Sequence, residues 1–305
     1  MDGLSQDFGG GASGVNPFKG VDLRDASLAQ VELSGMNSSP QLPPFWKVVD
    51  GFLVGPTARV DYSQIRNIGA IDQVNLPVGF VKTPDGIVGP NMTLSNFKPR
   101  ELSNVDISGS RFVGSDLRST RMTNVRGENL IFRDLILPLG WRYITKPGGG
   151  VLVGPSANLS KMDLSLSNLS DVDLRGADLS NARGRFITAN DRTRLPQGWK
   201  ILAGTLFGPT ADLSGANLSG LDMSELDLAD AILDDARGTN IRREPRALPY
   251  RWWIIRGNLV GPTANLICTS LSRDDLPGGI ASTARVSSDI NPRLFDERVS
   301  QHMPC

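Results

Sequence analysis

The side chains best suited to catalysis are scarce in this chain and poorly arranged for it. Its single histidine, His302, lies in a tail without periodicity. A triad would need that ring held against a serine and a carboxylate. Cys268 and Cys305 are the only cysteines. One histidine and two separated cysteines match no zinc-ligand spacing, and two cysteines do not make a disulfide framework. They read as a buried thiol and a free one, with mutual pairing as the alternative. Asp163, Asp173, Asp178, Asp212, Asp222 and Asp227 are numerous enough for acid–base pairs. Their recurrence at one repeat position reads instead as solvated turn chemistry. The run Gly148-Gly149-Gly150 lacks a following Lys-Ser/Thr, so it is not a phosphate loop. No catalytic, cofactor-binding or metal-binding residue is assigned, no cofactor and no small-molecule substrate are expected, and the chain reads as a non-enzyme.

Charge and aromatic residues carry more information. Lys and Arg number 32, as do Asp and Glu, so wholesale attraction to nucleic acid or an anionic membrane is not indicated. Locally the charges segregate. Between Ala211 and Ala236 stand Asp212, Asp222, Glu225, Asp227, Asp230, Asp234 and Asp235, without Lys or Arg. Arg237, Arg242, Arg243, Arg246, Arg251 and Arg256 follow, opposed by Glu244. Asp222, Glu225, Asp227, Asp230, Arg242, Arg243 and Arg246 are therefore the candidate interaction surface. They either neutralise one another or supply complementary faces for assembly. Trp46, Trp141, Trp199 and Trp252, with Phe80 as a fifth, occupy equivalent places, which favours structural packing over a ligand-binding ladder.

The elements positioning these residues repeat every five positions. One run is Phe18, Leu23, Leu28, Leu33. A second, from Met92 to Phe132, contains Phe97, Leu102, Ile107, Phe112 and Leu117. A third is Leu159, Leu164, Leu169, Leu174, Leu179, and a fourth Leu213, Leu218, Met223, Leu228, Leu233. Two residues earlier a small side chain often precedes, as at Val105, Ala157, Val172, Ala177, Ala211 and Ala216. A helix would smear period five around its circumference, and a flat strand would send alternate members to opposite faces. A chain that turns a corner once per five residues sends every one inward. Four such sides make a coil of about 20 residues, and stacked coils share backbone hydrogen bonds at about 4.8 Å.

Stretches such as Val172-Asp173-Leu174-Arg175-Gly176-Ala177-Asp178-Leu179-Ser180 and Ala211-Asp212-Leu213-Ser214-Gly215-Ala216-Asn217-Leu218-Ser219-Gly220 resemble the A(D/N)LXX pattern of the pentapeptide-repeat family. That resemblance implies an all-β chain, a right-handed quadrilateral parallel β-helix. A longer repeat is interleaved: Leu42-Pro-Pro-Phe-Trp46, Leu76-Pro-Val-Gly-Phe80, Leu137-Pro-Leu-Gly-Trp141, Leu195-Pro-Gln-Gly-Trp199 and Leu248-Pro-Tyr-Arg-Trp252, each running on to a Gly-Pro. These connectors read either as modified coils or as hairpins packed on the helix. The expected organisation is an N-terminal segment with first coils over 1–41 and two connectors with degenerate repeats over 42–91. Stacks at 92–136, 157–194 and 211–247 alternate with connectors at 137–156 and 195–210. A last connector with final repeats covers 248–275 and a cap or tail 276–305, helical over Asn291–Gln301 with Asn291 as N-cap.

Ordering five backbone residues opposes folding by about 5–10 kcal/mol, and burying one Leu returns about 1.5–3 kcal/mol. Stability must therefore come from coils stacking on coils. The functional expectation is a rigid scaffold for protein partners or self-assembly, cytoplasmic or within a large assembly such as a virion, as a capsid decoration or tail accessory protein. No signal peptide, membrane insertion or direct nucleic-acid contact is expected. The alternative, implied by the family resemblance, is a DNA mimic acting on a type II topoisomerase. Replacing Leu169 or Leu218 with Asp is predicted to disrupt a stack, whereas exchanging an outward Ser does little. An unchanged thermal melt of either Asp variant contradicts this.

Overall fold

Every regular element is short, because the backbone changes direction before a longer one can form. The computed structural model describes residues 42, 44–55, 62–72, 74–146, 150–266, 269, 271 and 275–277. Phe18, Leu23, Leu28 and Leu33, the tail helix over Asn291–Gln301, His302, Cys268 and Cys305 lie outside the described residues. Strands β1 (Lys47–Val49) and β2 (Phe52–Val54), and β3 (Val81–Thr83) and β4 (Gly86–Val88), form two antiparallel hairpins. Two 3-10 turns, Tyr62–Gln64 and Ile68–Ile71, lie between them. β5 (Thr93–Ser95), β6 (Glu101–Ser103), β7 (Arg111–Val113), β8 (Arg121–Thr123) and β9 (Ile131–Arg133) pair in parallel. Three further hairpins are β10 (Arg142–Ile144) with β11 (Val151–Val153), β12 (Lys200–Leu202) with β13 (Thr205–Phe207), and β14 (Trp253–Ile255) with β15 (Asn258–Val260). The described chain is all-β with almost no helix, and none of its helices is long and apolar enough to cross a membrane.

The parallel pairings give the architecture its period. Glu101 pairs with Arg121, Asn158 with Asp178, Asp163 with Arg183, Asp212 with Ile232 and Asn217 with Arg237, so residues twenty apart lie side by side. The Asp or Asn one place before each inward residue also builds the corner. Its Oδ1 accepts the N–H two residues on, as in Asp163 with Ser165 (2.8 Å), Asp178 with Ser180 (2.9 Å) and Asp212 with Ser214 (3.0 Å). This local bond satisfies a donor that the ladder leaves out. Many corners then pass through positive φ, and Asn and Asp hold most of those that Gly does not: Asn104, Asn124, Asp171, Asn181, Asp235.

The fifth-residue side chains form the interior. Leu102, Ile107, Phe112 and Leu117 are buried, as are Leu159, Leu164, Leu169, Leu174 and Leu179, and Leu213, Leu218, Met223 and Leu228. The small residues Val105, Ala157, Val172, Ala211 and Ala216 are buried with them. Phe97 departs from the expectation. It is half-buried and packs on the edge of the core. It lies at the start of its stack, where its carbonyl bonds forward to the Asp116 N–H (3.1 Å) and a connector precedes it.

The interleaved connectors are hairpins, and they extend the ladder. Before β10, Asn124 N–H donates to Ser156 O and Leu130 N–H to Gly150 O. Leu152 and Asn158 donate back to Gly127 and Val125. The same four bonds recur around β12–β13, linking Asn181 to Thr210, Ile187 to Gly204, Leu206 to Gly184 and Asp212 to Ala182. They recur again around β14–β15, linking Asp235 to Thr263, Ile241 to Gly257, Leu259 to Gly238 and Asn265 to Ala236. At Gly127, Gly184 and Gly238 a Cβ would press first on Leu130, Ile187 or Ile241 and then on Leu152, Leu206 or Leu259, the buried leucines each hairpin contributes.

One contact explains the connector signature. The aromatic that opens each hairpin lies on the glycine that closes it: Trp46 on Gly55, Phe80 on Gly89, Trp141 on Gly154, Trp199 on Gly208 and Trp252 on Gly261. A Cβ at any of these glycines would overlap the ring. The preceding Pro-x-Gly-aromatic is a type II turn, with the Trp199 N–H bonded to Pro196 O (3.1 Å) and Gly198 at φ 81°. Phe45 and Arg251 hold the same place at φ 69° and 66°.

Where the twenty-residue spacing slips, hydroxyls repair the ladder. β5 and β7 are offset by eighteen, as Thr93 pairs with Arg111. There Ser115 Oγ accepts from Phe97 N–H (3.2 Å) and donates to Leu94 O (2.9 Å), and Ser110 Oγ does the same for Met92 and Gly89. Ser167, at the equivalent inward place, is buried and its Oγ has no partner. Ser115→Ala is therefore predicted to lower stability by about 2 kcal/mol, and Ser167→Ala to leave it unchanged or raise it by about 1 kcal/mol. Urea denaturation of the two variants measures both signs, and equal losses would overturn this account.

Candidate interaction surface

The acidic and arginine-rich segments are neighbours in the ladder. Asp222 pairs with Arg243 and Asp227 with Ala247. Arg242 N–H donates to Leu221 O and Arg246 N–H to Leu226 O (2.7 Å). The backbone thus brings Asp222, Glu225 and Asp227 beside Arg242, Arg243 and Arg246. Asp227 is half-buried and the other five are exposed. Asp230 is also exposed, on the next side of the acidic segment, where its N–H donates to Pro209 O (2.9 Å).

The electrostatics follow from this arrangement. Arg243 Nε lies 3.4 Å from Asp222 Oδ2. The Ser224 hydroxyl (2.8 Å) and N–H (3.2 Å) both donate to Asp222 Oδ1. These bonds hold the Asp222 carboxyl below its ordinary 3.8, with Arg243 and Arg242 assisting. Lys200, on β12, pairs with Glu225 from the other side and draws that carboxyl below its ordinary 4.5, assisted by Arg246 and opposed by Asp222. The acidic segment is therefore met by cations on two sides. Lys200 is not legible in the sequence, because it lies on a hairpin strand outside the five-residue register. These pairs are solvent-exposed, so each adds little to stability.

The aspartates of the repeat are committed to their corners. Asp163, Asp173, Asp178, Asp212, Asp222 and Asp227 each accept the N–H two residues on. An open groove of about 420 Å³ runs beside Lys200, lined also by Arg175, Arg194, Trp199 and Leu202. Two of its charged groups are engaged, Arg175 with Asp173 at 2.7 Å and Lys200 with Glu225. The Trp199 ring is held on Gly208 as part of the hairpin closure.

Comparison with known families gives one match. The pentapeptide-repeat family model matches residues 156–183 and 211–237, with 8 copies. The chain carries pentapeptide repeats, and they fall on the two most regular stretches of the ladder. No curated protein matches the chain significantly.

The depressed carboxyls fix a pH dependence. A carboxyl lowered in the folded state adds stability above its unfolded value, and that stability is lost as pH falls toward the folded value. For Asp222 and Glu225 the loss begins as pH drops below their ordinary 3.8 and 4.5. The double variant Asp222→Asn/Glu225→Gln is predicted to have a shallower acid limb in a plot of Tm against pH. An acid limb superimposable on that of the wild type would remove the assigned pairing.

Proposed function

We propose that the chain is a non-catalytic scaffold, a right-handed four-sided β-helix whose outer surface binds protein partners. The observation that supports this most is the continuity of the ladder through the hairpins. The same four bonds recur at three seams, so connectors that look like interruptions in sequence join successive stacks into one stiff body. A rod of this kind presents side chains at fixed spacings over a long surface, which favours recognition with little ordering on binding. The repeat carboxylates Asp163, Asp173, Asp178, Asp212, Asp222 and Asp227 are occupied with corner bonds.

The surface proposed to meet a partner is the charged region of Asp222, Glu225, Asp227, Asp230, Arg242, Arg243 and Arg246. Interdigitated acids and bases favour a partner with both signs of charge, matched in register. They do not favour DNA mimicry, because Lys200 and Arg243 break the acidic face that mimicry needs.

The test is recovery of partners from the native source by the full chain, followed by cross-linking mass spectrometry. Cross-links are expected on residues 222–246. The variant Arg242→Gln/Arg243→Gln/Arg246→Gln should lose recovery by about tenfold or more with an unchanged thermal melt. Full recovery by that variant would exclude this surface. Finding the purified protein monodisperse and without any partner would exclude the scaffold itself.

A further inference from the structure

Two side chains depart from the pattern at the corners. At positive φ the five-residue sides carry Asn, Asp, Gly, Ser or Lys, as at Asn124, Ser156, Lys161, Asp171 and Gly176. Leu166 (φ 62°) and Phe186 (φ 55°) stand in the same place, where a bulky apolar residue is conformationally disfavoured. Burial does not compensate them, since Leu166 is 66% exposed and Phe186 76%. They are also neighbours. Leu166 N–H donates at 2.8 Å to the carbonyl of Arg185, the residue just before Phe186. The corners equivalent to Phe186 at the other two seams are Asn129 (φ 54°) and Asn240 (φ 54°), so the fold accepts Asn there. A strained, exposed, paired apolar feature has a reason to exist only if something covers it.

The surroundings indicate what covers it. Lys161 occupies the preceding corner, Lys146 reaches the Asp163 carbonyl, and Arg185 adjoins Phe186. Asp163 is paired with Arg183 at 3.0 Å. The rim is thus predominantly cationic. The converse surface exists on the same chain, where Ile232, 37% exposed, lies between the exposed Asp230 and Asp234.

We infer that the Leu166–Phe186 knob docks on the Asp230–Ile232–Asp234 face of a second copy of this chain. The inference rests on the scaffold reading and gives it a self-partner at a surface that shares only Asp230 with the arginine-rich region. Because the two faces differ, the contact is heterologous and each copy keeps one face free, so association propagates.

Sedimentation velocity of the full chain over a concentration series tests this. The wild type should gain mass with concentration. Leu166→Asn/Phe186→Asn should weaken association by at least about tenfold while raising Tm by about 2–4 °C, because Asn relieves both corners. Asp230→Lys/Asp234→Lys should weaken it similarly, and mixing that variant with Lys161→Glu should restore part of the loss. A wild type that stays monomeric, an Asn variant that associates undiminished, or an Asn variant that melts lower would each overturn the inference. A monomeric chain that still captures a different protein would end it and leave the scaffold reading intact.

Discussion

The backbone hydrogen bonding that pairs residues twenty apart is the constraint on which the rest of this structure depends. A five-residue side is too short to be stable alone, and its N–H and C=O groups point along the stack. They have to be met by the next unit or by a substitute. Regular stretches meet it with parallel pairing. The hairpins meet it at both of their ends, with the same donors and acceptors at three places in the chain. Where β5 and β7 slip to an offset of eighteen, Ser110 and Ser115 supply hydroxyls that mend the break. Corners are treated alike, each aspartate or asparagine taking up a donor that points away from the stack.

Sequence reading succeeded where side chain and position have a fixed relation. Period five has only one geometric solution that buries every fifth residue on one side, so Leu159 to Leu179 and Leu213 to Leu228 were legible as interior. Phe97 was not, because periodicity does not say whether a preceding unit covers a given side. The connectors are recognisable in sequence as a repeated element, yet their residues fit a coil and a hairpin equally. That choice turned on a contact between residues nine to thirteen apart, the aromatic ring on the bare glycine, which neither residue alone announces. The glycines at 127, 184 and 238 carried a readable signal in retrospect, since each falls on the inward position where an apolar residue is due.

The charged surface divides along the same line. Segregation of Asp212–Asp235 from Arg237–Arg256 is visible in sequence, and a local offset of twenty-one brings Asp222 against Arg243. Lys200 joined from a hairpin, outside the five-residue register, and only coordinates could place it at Glu225. The unusual corners at Leu166 and Phe186 had a sequence signal of a different kind. They are visible once the occupants of one turn position are compared down the chain, and invisible when the inward register alone is followed.

The spacing of the seams has a directional consequence. From Ser156, where one hairpin rejoins the ladder, to Asn181, where the next begins, is 25 residues, and Thr210 to Asp235 is 25 again. Since neighbours in the ladder stand twenty apart, each hairpin leaves five residues further round than its predecessor. On the four-sided β-helix proposed above that is a quarter turn, so β10–β11, β12–β13 and β14–β15 would emerge like the treads of a spiral stair. A flat partner laid lengthwise along such a rod meets one tread and passes beside the others, whereas one that winds around it engages all three.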